Sequence, residues 1–216
     1  MKNLLIVGAR GFGREIYNLA KQCCGYKTEF LIKGFLDDKF DALRGLANYP
    51  PIINSVEEYI IEENDIFVVA LGDVNFKKKY IDKIKQKNGK FHSLIHPTAI
   101  INSNTIIGEG VLIGQFTIIS CDCFVGNYVT MHSFCNLGHD IKIGDFSSLG
   151  PYTFLGGFAQ IENLVTIHPR VSVMPHKVVR KSAVVGAGSV VMRNVPENVT
   201  VHGNPAKIIF SDNLIK

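Results

Sequence analysis

From Ile95 to Pro196 the chain keeps a six-residue beat without a single insertion. Every first position is Ile, Leu, Val or Met. The second is Gly in eight of the seventeen hexads, and the fifth is Ala, Ser, Thr, Cys or Val in all but two, Ile141 and Lys177. A helix repeats every 3.6 residues and a strand every two, so neither alone has a period of six. A short strand followed by a corner does, and three corners close an eighteen-residue triangular coil. Position one then points inward and fills the prism. Position five is inward near the corner, where a small side chain fits, and Gly at position two is expected to ease the bend. Positions three and four form the corner and face solvent. Hexapeptide repeats of this kind build parallel β-helices, with coils about 4.8 Å apart, the ordinary strand spacing. A prism exposes a sheet edge at its end, which needs covering. The segment after Pro196, "ENVTVHGNPAKIIFSDNLIK", supplies a C-terminal cap.

The first 92 residues have a different rhythm. "NLLIVGA", "FLIKGFLDD" and "DIFVVAL" are short apolar runs, the pattern of buried parallel strands. "GREIYNLAKQC" places Ile16, Leu19, Ala20 and Cys23 on one helical face. "SVEEYIIEE" offers Ser55 and Glu58 as a capping box for a helix, and "NFKKKYIDKIKQK" continues the alternation with another. Strands alternating with helices predict a small doubly wound parallel sheet. The expected division is therefore an α/β Rossmann-like domain over 1–92 and a hexad prism with its cap over 93–216.

Composition narrows the function classes. No apolar run is long enough for a membrane span, and "MKNLLIVGAR" reads as a strand rather than a secretory leader. Net charge is only +4. The densest basic run, residues 77–90, carries Tyr80, Ile81 and Ile84 at helical spacing, so it reads as a solvated helix face and not as a nucleic-acid patch. Five cysteines without a framework spacing point to reduced thiols and a cytoplasmic location. Cys123 and Cys135 fall on the small-residue fifth position, which favours packing over metal binding.

Two places carry chemistry. His139 and Asp140 occupy positions three and four of one hexad, a base and a carboxylate together at a corner. Counting eighteen residues each way puts Cys121 below His139 and Gly157 above it. A base beside an unscreened backbone N–H is the geometry that acyl transfer needs. The second place is the loop "GARGFG", spanning Gly8, Arg10, Gly11, Phe12 and Gly13. Its pattern is G-x-x-G-x-G, not the dinucleotide G-x-G-x-x-G. A glycine turn between strand and helix still brings backbone N–H groups to a phosphate, and Asp37 and Asp38 end the second strand, where acids bind ribose hydroxyls or a base edge. On spacing alone, a nicotinamide cofactor, a sugar-nucleotide pyrophosphate and a plain tight turn all remain open.

The glycine loop "GARGFGREI", "GFLDD", "HPTAII", "GHDIKIGDF" and "GNPAK" together resemble the bacterial hexapeptide-repeat sugar O-/N-acetyltransferases of the pilin-glycosylation and sialic-acid type, over almost the whole chain. The resemblance implies a left-handed β-helix and a homotrimer with active sites between subunits. It implies acetyl-CoA as co-substrate lying along the prism, and a nucleotide-linked sugar whose nucleotide sits in the α/β domain. It makes His139 the general base, Asp140 the acid that orients it, and Gly157 the donor to the thioester carbonyl. No acyl-enzyme and no metal are implied. Ser148 stands where many relatives carry a second histidine near the acetyl group. Arg10 stands where relatives usually have glycine. Lys181, Arg193 and Lys207 are possible contacts for the CoA phosphates. Rival readings are a free-sugar O-acetyltransferase, a non-catalytic nucleotide-sugar sensor, and a zinc β-helix of the carbonic anhydrase type. For the last of these the usual close histidine pair is missing.

Overall fold

The computed structural model describes residues 1–211; the end of the expected cap, 212–216, lies outside the described residues. Two compact units divide at Pro97 and Thr98.

The first unit contains β1 (Lys2–Val7), α1 (Gly11–Gln22), β2 (Phe30–Leu36), β3 (Ile52–Asn54), β4 (Asp65–Val69), α2 (Val74–Gln86) and β5 (Lys90–Phe91). The sheet is parallel in the order β3-β2-β1-β4-β5. β1 is central because its residues 4–7 are apolar and at most 2% exposed. The chain winds outward through β2 and β3, then returns to the other side of β1 with β4. That reversal makes the carboxyl ends of β1, β2 and β4 the switch point, where open α/β sheets leave a crevice. α1 buries Ile16, Leu19 and Ala20, as the spacing predicts. Gly13 lets it sit close, since a β-carbon there would stand 1.9 Å from the Gly8 carbonyl oxygen.

Three details differ from the sequence reading. The helix expected from Ser55 is a single turn: Glu58 N–H donates to Ser55 Oγ at 3.2 Å and Tyr59 N–H to the Ser55 carbonyl at 3.1 Å, and no α-helix follows. The chain is instead captured by buried Asp65, which accepts from the Tyr59 hydroxyl (2.7 Å), the Glu62 N–H (2.8 Å) and Lys33 Nζ (3.1 Å). Burial alone would raise the Asp65 pKa; these donors together hold it below the ordinary carboxylate value. The short strand β3 was not foreseen. Nor is the basic run solvated throughout: Lys77 turns inward on α2, is 2% exposed, and burial pulls its ammonium down to about 7.

The second unit is a left-handed parallel β-helix. Two-residue strands cover positions six and one of each hexad and pair with the strands eighteen residues away, as Ile118 does with Ile100 and Asn136. The first face runs from Ile100–Ile101 to Val190–Val191, the second from Ile106–Ile107 to Val178–Val179. The third continues from Leu112–Ile113 past Val184–Val185. It is extended by Val199–His202 in parallel and Lys207–Ser211 antiparallel, the described part of the cap. From Ile113 to Val191 every first-position side chain is at most 2% exposed. Fifth-position hydroxyls are buried but satisfied: Thr117 Oγ1 donates to the His132 carbonyl at 3.0 Å and Ser147 Oγ to the Glu162 carbonyl at 2.7 Å. Cys135 packs in the same row, 1% exposed, and burial pushes its thiol up to about 12.

The corner is built differently from the expectation. Every position four from Asn104 to Gly188 lies in the left-handed region, with φ between 55° and 71°. The bend is therefore carried by position four, including large residues such as Phe116, Tyr128 and Phe158. Each such non-glycine residue costs roughly 1–2 kcal/mol, and ring stacking between coils offsets part of it. Phe116, Phe134 and Tyr152 stack with centroids 5.2 and 4.9 Å apart. The glycines at position two do not ease the bend. They permit close approach: a β-carbon on Gly114 would meet the Ser133 amide nitrogen at 2.7 Å, and one on Gly150 would meet Pro169 N at 2.7 Å.

Gly114→Ala is expected to destabilise the prism by roughly 1–3 kcal/mol, the usual cost of forcing atoms into a packed contact. Gly72→Ala, whose added carbon meets nothing within 4 Å, should leave stability unchanged. Chemical denaturation of both variants checks this; equal midpoints would contradict the close-approach account.

Candidate active site

The corner between the first and second faces carries a column of position-three residues: Cys121, His139, Gly157, Pro175 and Arg193. Main-chain bonds lock its coils in register. Asp140 N–H donates to the Cys121 carbonyl at 3.2 Å, Phe158 N–H to that of His139 at 3.0 Å, and His176 N–H to that of Gly157 at 3.0 Å. His139 therefore has Gly157 one coil above it by construction. The imidazole lies on that glycine: a β-carbon at 157 would stand 2.9 Å from both Cε1 and Nε2. Only glycine leaves room for the ring.

His139 Nδ1 is 2.7 Å from Asp140 Oδ2. A carboxylate only accepts, so Nδ1 carries the hydrogen and Nε2 presents its lone pair. Phe158 meets the ring edge-on, with centroids 5.1 Å apart and planes at 89°, and is itself stacked on His176 at 4.8 Å. The imidazole is thus held by a carboxylate, a glycine and an aromatic edge. About half of its side chain remains open to solvent.

The Gly157 amide lacks the acceptor that several amides of the neighbouring corner find one coil above them. At the neighbouring corner, the N–H groups of Glu109, Asn127 and Asp145 donate to the side-chain oxygens of Asn127, Asp145 and Asn163 one coil above, at 3.0, 2.7 and 3.0 Å. Above Gly157 that position is Pro175, which has no side-chain acceptor. Among the described residues the Gly157 N–H donates to nothing. An imidazole with a free lone pair and an amide with a free hydrogen stand side by side, and this arrangement can stabilise an oxyanion while moving a proton.

Asp122, not singled out from the sequence, lies at position four one coil below Asp140. Asn104 Nδ2 donates to its carboxylate at 3.0 Å. That bond first, then Cys121 and the attraction of His139, hold the Asp122 pKa below the usual carboxylate value. The signal was present in the sequence, since 122 is 140 minus eighteen.

The proposed CoA contacts are dispersed within the chain. Ser148 sits on the third face between Thr130 and Thr166, 9% exposed, and that face does not border the His139 corner. Lys181 stands at the far edge of the second face and borders a shallow groove of about 400 Å³ with Lys142, Gln160 and Glu162. Lys207 opens the antiparallel strand of the cap. Arg193 follows three coils above His139 in its own column. Of these residues, the structure brings together only His139, Asp140 and Gly157.

In the α/β unit, a cavity of about 440 Å³ opens at the switch point. Gly8, Arg10, Phe12, Asp37 and Asp38 line it; Gly11 and Gly13 do not. Gly8 has φ +96°, a conformation suited to glycine. Arg10 is the N-cap residue of α1 and makes no capping bond with its side chain. Residues that sequence reading did not assign also line the cavity, among them Val56, Gly72, Asp73, Phe76 and Tyr80. From the sequence, Tyr80 reads only as part of the apolar stripe of α2.

Residues 3–84 match the PglD N-terminal domain. UDP-N-acetylbacillosamine N-acetyltransferase of Bacillus subtilis is 30% identical over 117 residues, covering 52% of this chain and 51% of that protein; the match spans about half the relative's length. Among solved structures, a histidine-to-alanine variant of GDP-perosamine N-acetyltransferase from Caulobacter crescentus, in complex with CoA and GDP-perosamine, superposes with a TM-score of 0.87. It has 23% identity and covers 98% of each chain, a likeness of fold. The acetyltransferase domain of PglB from Neisseria gonorrhoeae, in complex with acetyl coenzyme A, gives a TM-score of 0.86 at 25% identity, covering 96% of this chain and 99% of that one. The first unit thus carries a PglD-type N-terminal domain, and the whole chain shares its fold, an α/β unit followed by a parallel β-helix, with these acetyltransferase structures.

Proposed function

We propose that the protein transfers the acetyl group of acetyl-CoA to the amine, or less favourably a hydroxyl, of a nucleotide-linked amino sugar. The observation that carries this reading is the His139 imidazole seated on Gly157 beside its uncommitted N–H, with Asp140 on Nδ1. The names of the Bacillus relative and the Caulobacter neighbour, both N-acetyltransferases of nucleotide-linked amino sugars, support the acceptor class and favour the amine.

In this mechanism His139 Nε2 takes the proton from the acceptor nitrogen as that nitrogen attacks the thioester carbonyl. Charge develops on the carbonyl oxygen, and the Gly157 N–H donates to it. Asp140 stabilises the imidazolium that forms. Collapse of the tetrahedral intermediate breaks the carbon–sulfur bond, and the imidazolium returns its proton to the leaving thiolate. The product is an amide and free CoA, without an acyl-enzyme. The glycine loop, Arg10 and the carboxylates of the α/β cavity are assigned to the nucleotide. Lys181, Arg193, Lys207 and Ser148 are assigned to acetyl-CoA along a prism, with active sites shared between the subunits of a homotrimer. A cytoplasmic location fits the five free cysteines. Among the described residues no helix is long and apolar enough to cross a membrane.

Thiol release from acetyl-CoA in the presence of UDP- and GDP-linked amino sugars tests the reading. His139→Ala should lower the rate by about 10²–10⁴, the usual worth of a positioned base; an unchanged rate would contradict it. Wild-type binding of a nucleotide sugar without any turnover would instead favour a sensor. Gly157→Ala keeps the N–H but displaces the ring, and should cost about 10²–10³ in kcat with the fold intact by circular dichroism. Activity within a factor of two of wild type would show that the imidazole needs no seat on residue 157.

A further inference from the structure

The cavity of the α/β unit is lined by three aspartates, and their hydrogen bonds divide the labour among them. Asp37 spends both oxygens on the main chain: Oδ2 accepts from the Ala9 N–H at 2.8 Å and Oδ1 from the Lys39 N–H at 2.9 Å. It is a clasp that fixes the glycine loop against the end of β2. Asp73 caps α2, with Oδ1 accepting from the N–H groups of Asn75 and Phe76 at 2.9 Å. Asp38 makes no main-chain bond of this kind. Its Oδ2 accepts from the Tyr80 hydroxyl at 2.5 Å, a partner 42 residues away on α2. No donor among the described residues engages its Oδ1.

The cavity is lined by both polar and apolar side chains. Arg10 and the start of α1 offer positive charge, Asp38 offers an acceptor, and Val7, Leu36, Val56 and Ala70 add apolar surface. A nucleoside diphosphate has matching parts: anionic phosphates, a flat ring system, and hydrogen-bond donors on the ribose and the base. A carboxylate at the surface end of a strand samples several rotamers, and a ligand that uses it must freeze one. The Tyr80 hydroxyl freezes it beforehand. The bond to Asp38 and, next, burial push the phenol up to about 12, so it remains a donor throughout the physiological range.

We propose that Tyr80 is a positioning residue for nucleotide recognition: its hydroxyl holds the Asp38 carboxylate so that Oδ1 accepts from a donor of the nucleoside, a ribose hydroxyl or a base N–H. The inference rests on the nucleotide-sugar reading of this cavity and adds a division of roles, in which Asp38 recognises the ligand and Asp37 does not. A neutral amide at 38 would turn part of the acceptor into a donor, so Asp38→Asn acts on the same contact from the other side.

Calorimetric titration of the full-length protein with UDP and GDP tests it. For the diphosphate that binds, Tyr80→Phe should weaken binding about tenfold, the effect of losing one charge-assisted contact's alignment. The KM for the corresponding sugar nucleotide should rise by a similar factor, with kcat and the KM for acetyl-CoA unchanged. Two analogues locate the donor: the 2′-deoxy diphosphate and the diphosphate methylated on the base imino nitrogen. Wild type should discriminate against one of them, and Tyr80→Phe should lose most of that discrimination. Equal affinities of wild type and Tyr80→Phe would overturn the positioning role while leaving the nucleotide reading intact. So would a fall in kcat with an unchanged KM for the sugar nucleotide, or discrimination that survives the substitution. If neither UDP nor GDP binds wild type, the nucleotide reading falls and this inference falls with it.

Discussion

The left-handed conformation of every fourth hexad position is the constraint on which the prism depends. It turns the chain sharply enough for three short strands to close a coil in eighteen residues. Residue i is thereby stacked on residue i+18 with main-chain bonds on either side. At most corners the consequence is only structural: aromatic rings stack, or an asparagine oxygen covers the amide below. At one corner the same register seats an imidazole on a glycine and sets a proline above that glycine. The amide is left without a partner because proline supplies no acceptor, and the ring is held because glycine supplies no β-carbon. The chemistry of the corner thus follows from three residues in one column, His139, Gly157 and Pro175, each acting through what its neighbour one coil away lacks.

The α/β unit reaches its site by another route. A parallel sheet wound in both directions from β1 leaves a crevice where the direction reverses. Its acids look equivalent in the sequence, since Asp37 and Asp38 are adjacent. The fold separates them. The clasp formed by Asp37 consumes both of its oxygens, whereas Asp38 reaches helix α2 and keeps one oxygen uncommitted. Both acids lie just past the end of β2, where the chain bends at Asp38, and their separate partners divide a structural acid from one available to a ligand.

Much of this was legible in the sequence because the repeat is periodic and burial follows the period. Positions one and five were readable from side-chain size, and the stacking of Gly157 on His139 from the eighteen-residue count. What escaped depends on partners far apart in the chain or on backbone conformation. Left-handed corners at Phe116 or Phe158 run against the ordinary preference of large residues, so composition gave no hint of them. The second-position glycines looked like hinges but answer to a main-chain amide one coil away. Ser55 and Glu58 carry a helix start signal that Asp65 overrides by capturing Tyr59 and Glu62. Tyr80 read as apolar stripe because its hydroxyl partner sits 42 residues earlier. Pro175 was silent until the asparagines and aspartate of the next corner showed what the same position supplies there.

A structure of the protein with acetyl-CoA bound tests the central claim most directly. The account predicts the thioester carbonyl oxygen within hydrogen-bonding distance of the Gly157 N–H, and His139 Nε2 facing the same carbonyl carbon with an open approach for an acceptor. A thioester lying against another corner, or a Gly157 amide still unpaired with acetyl-CoA in place, would contradict it.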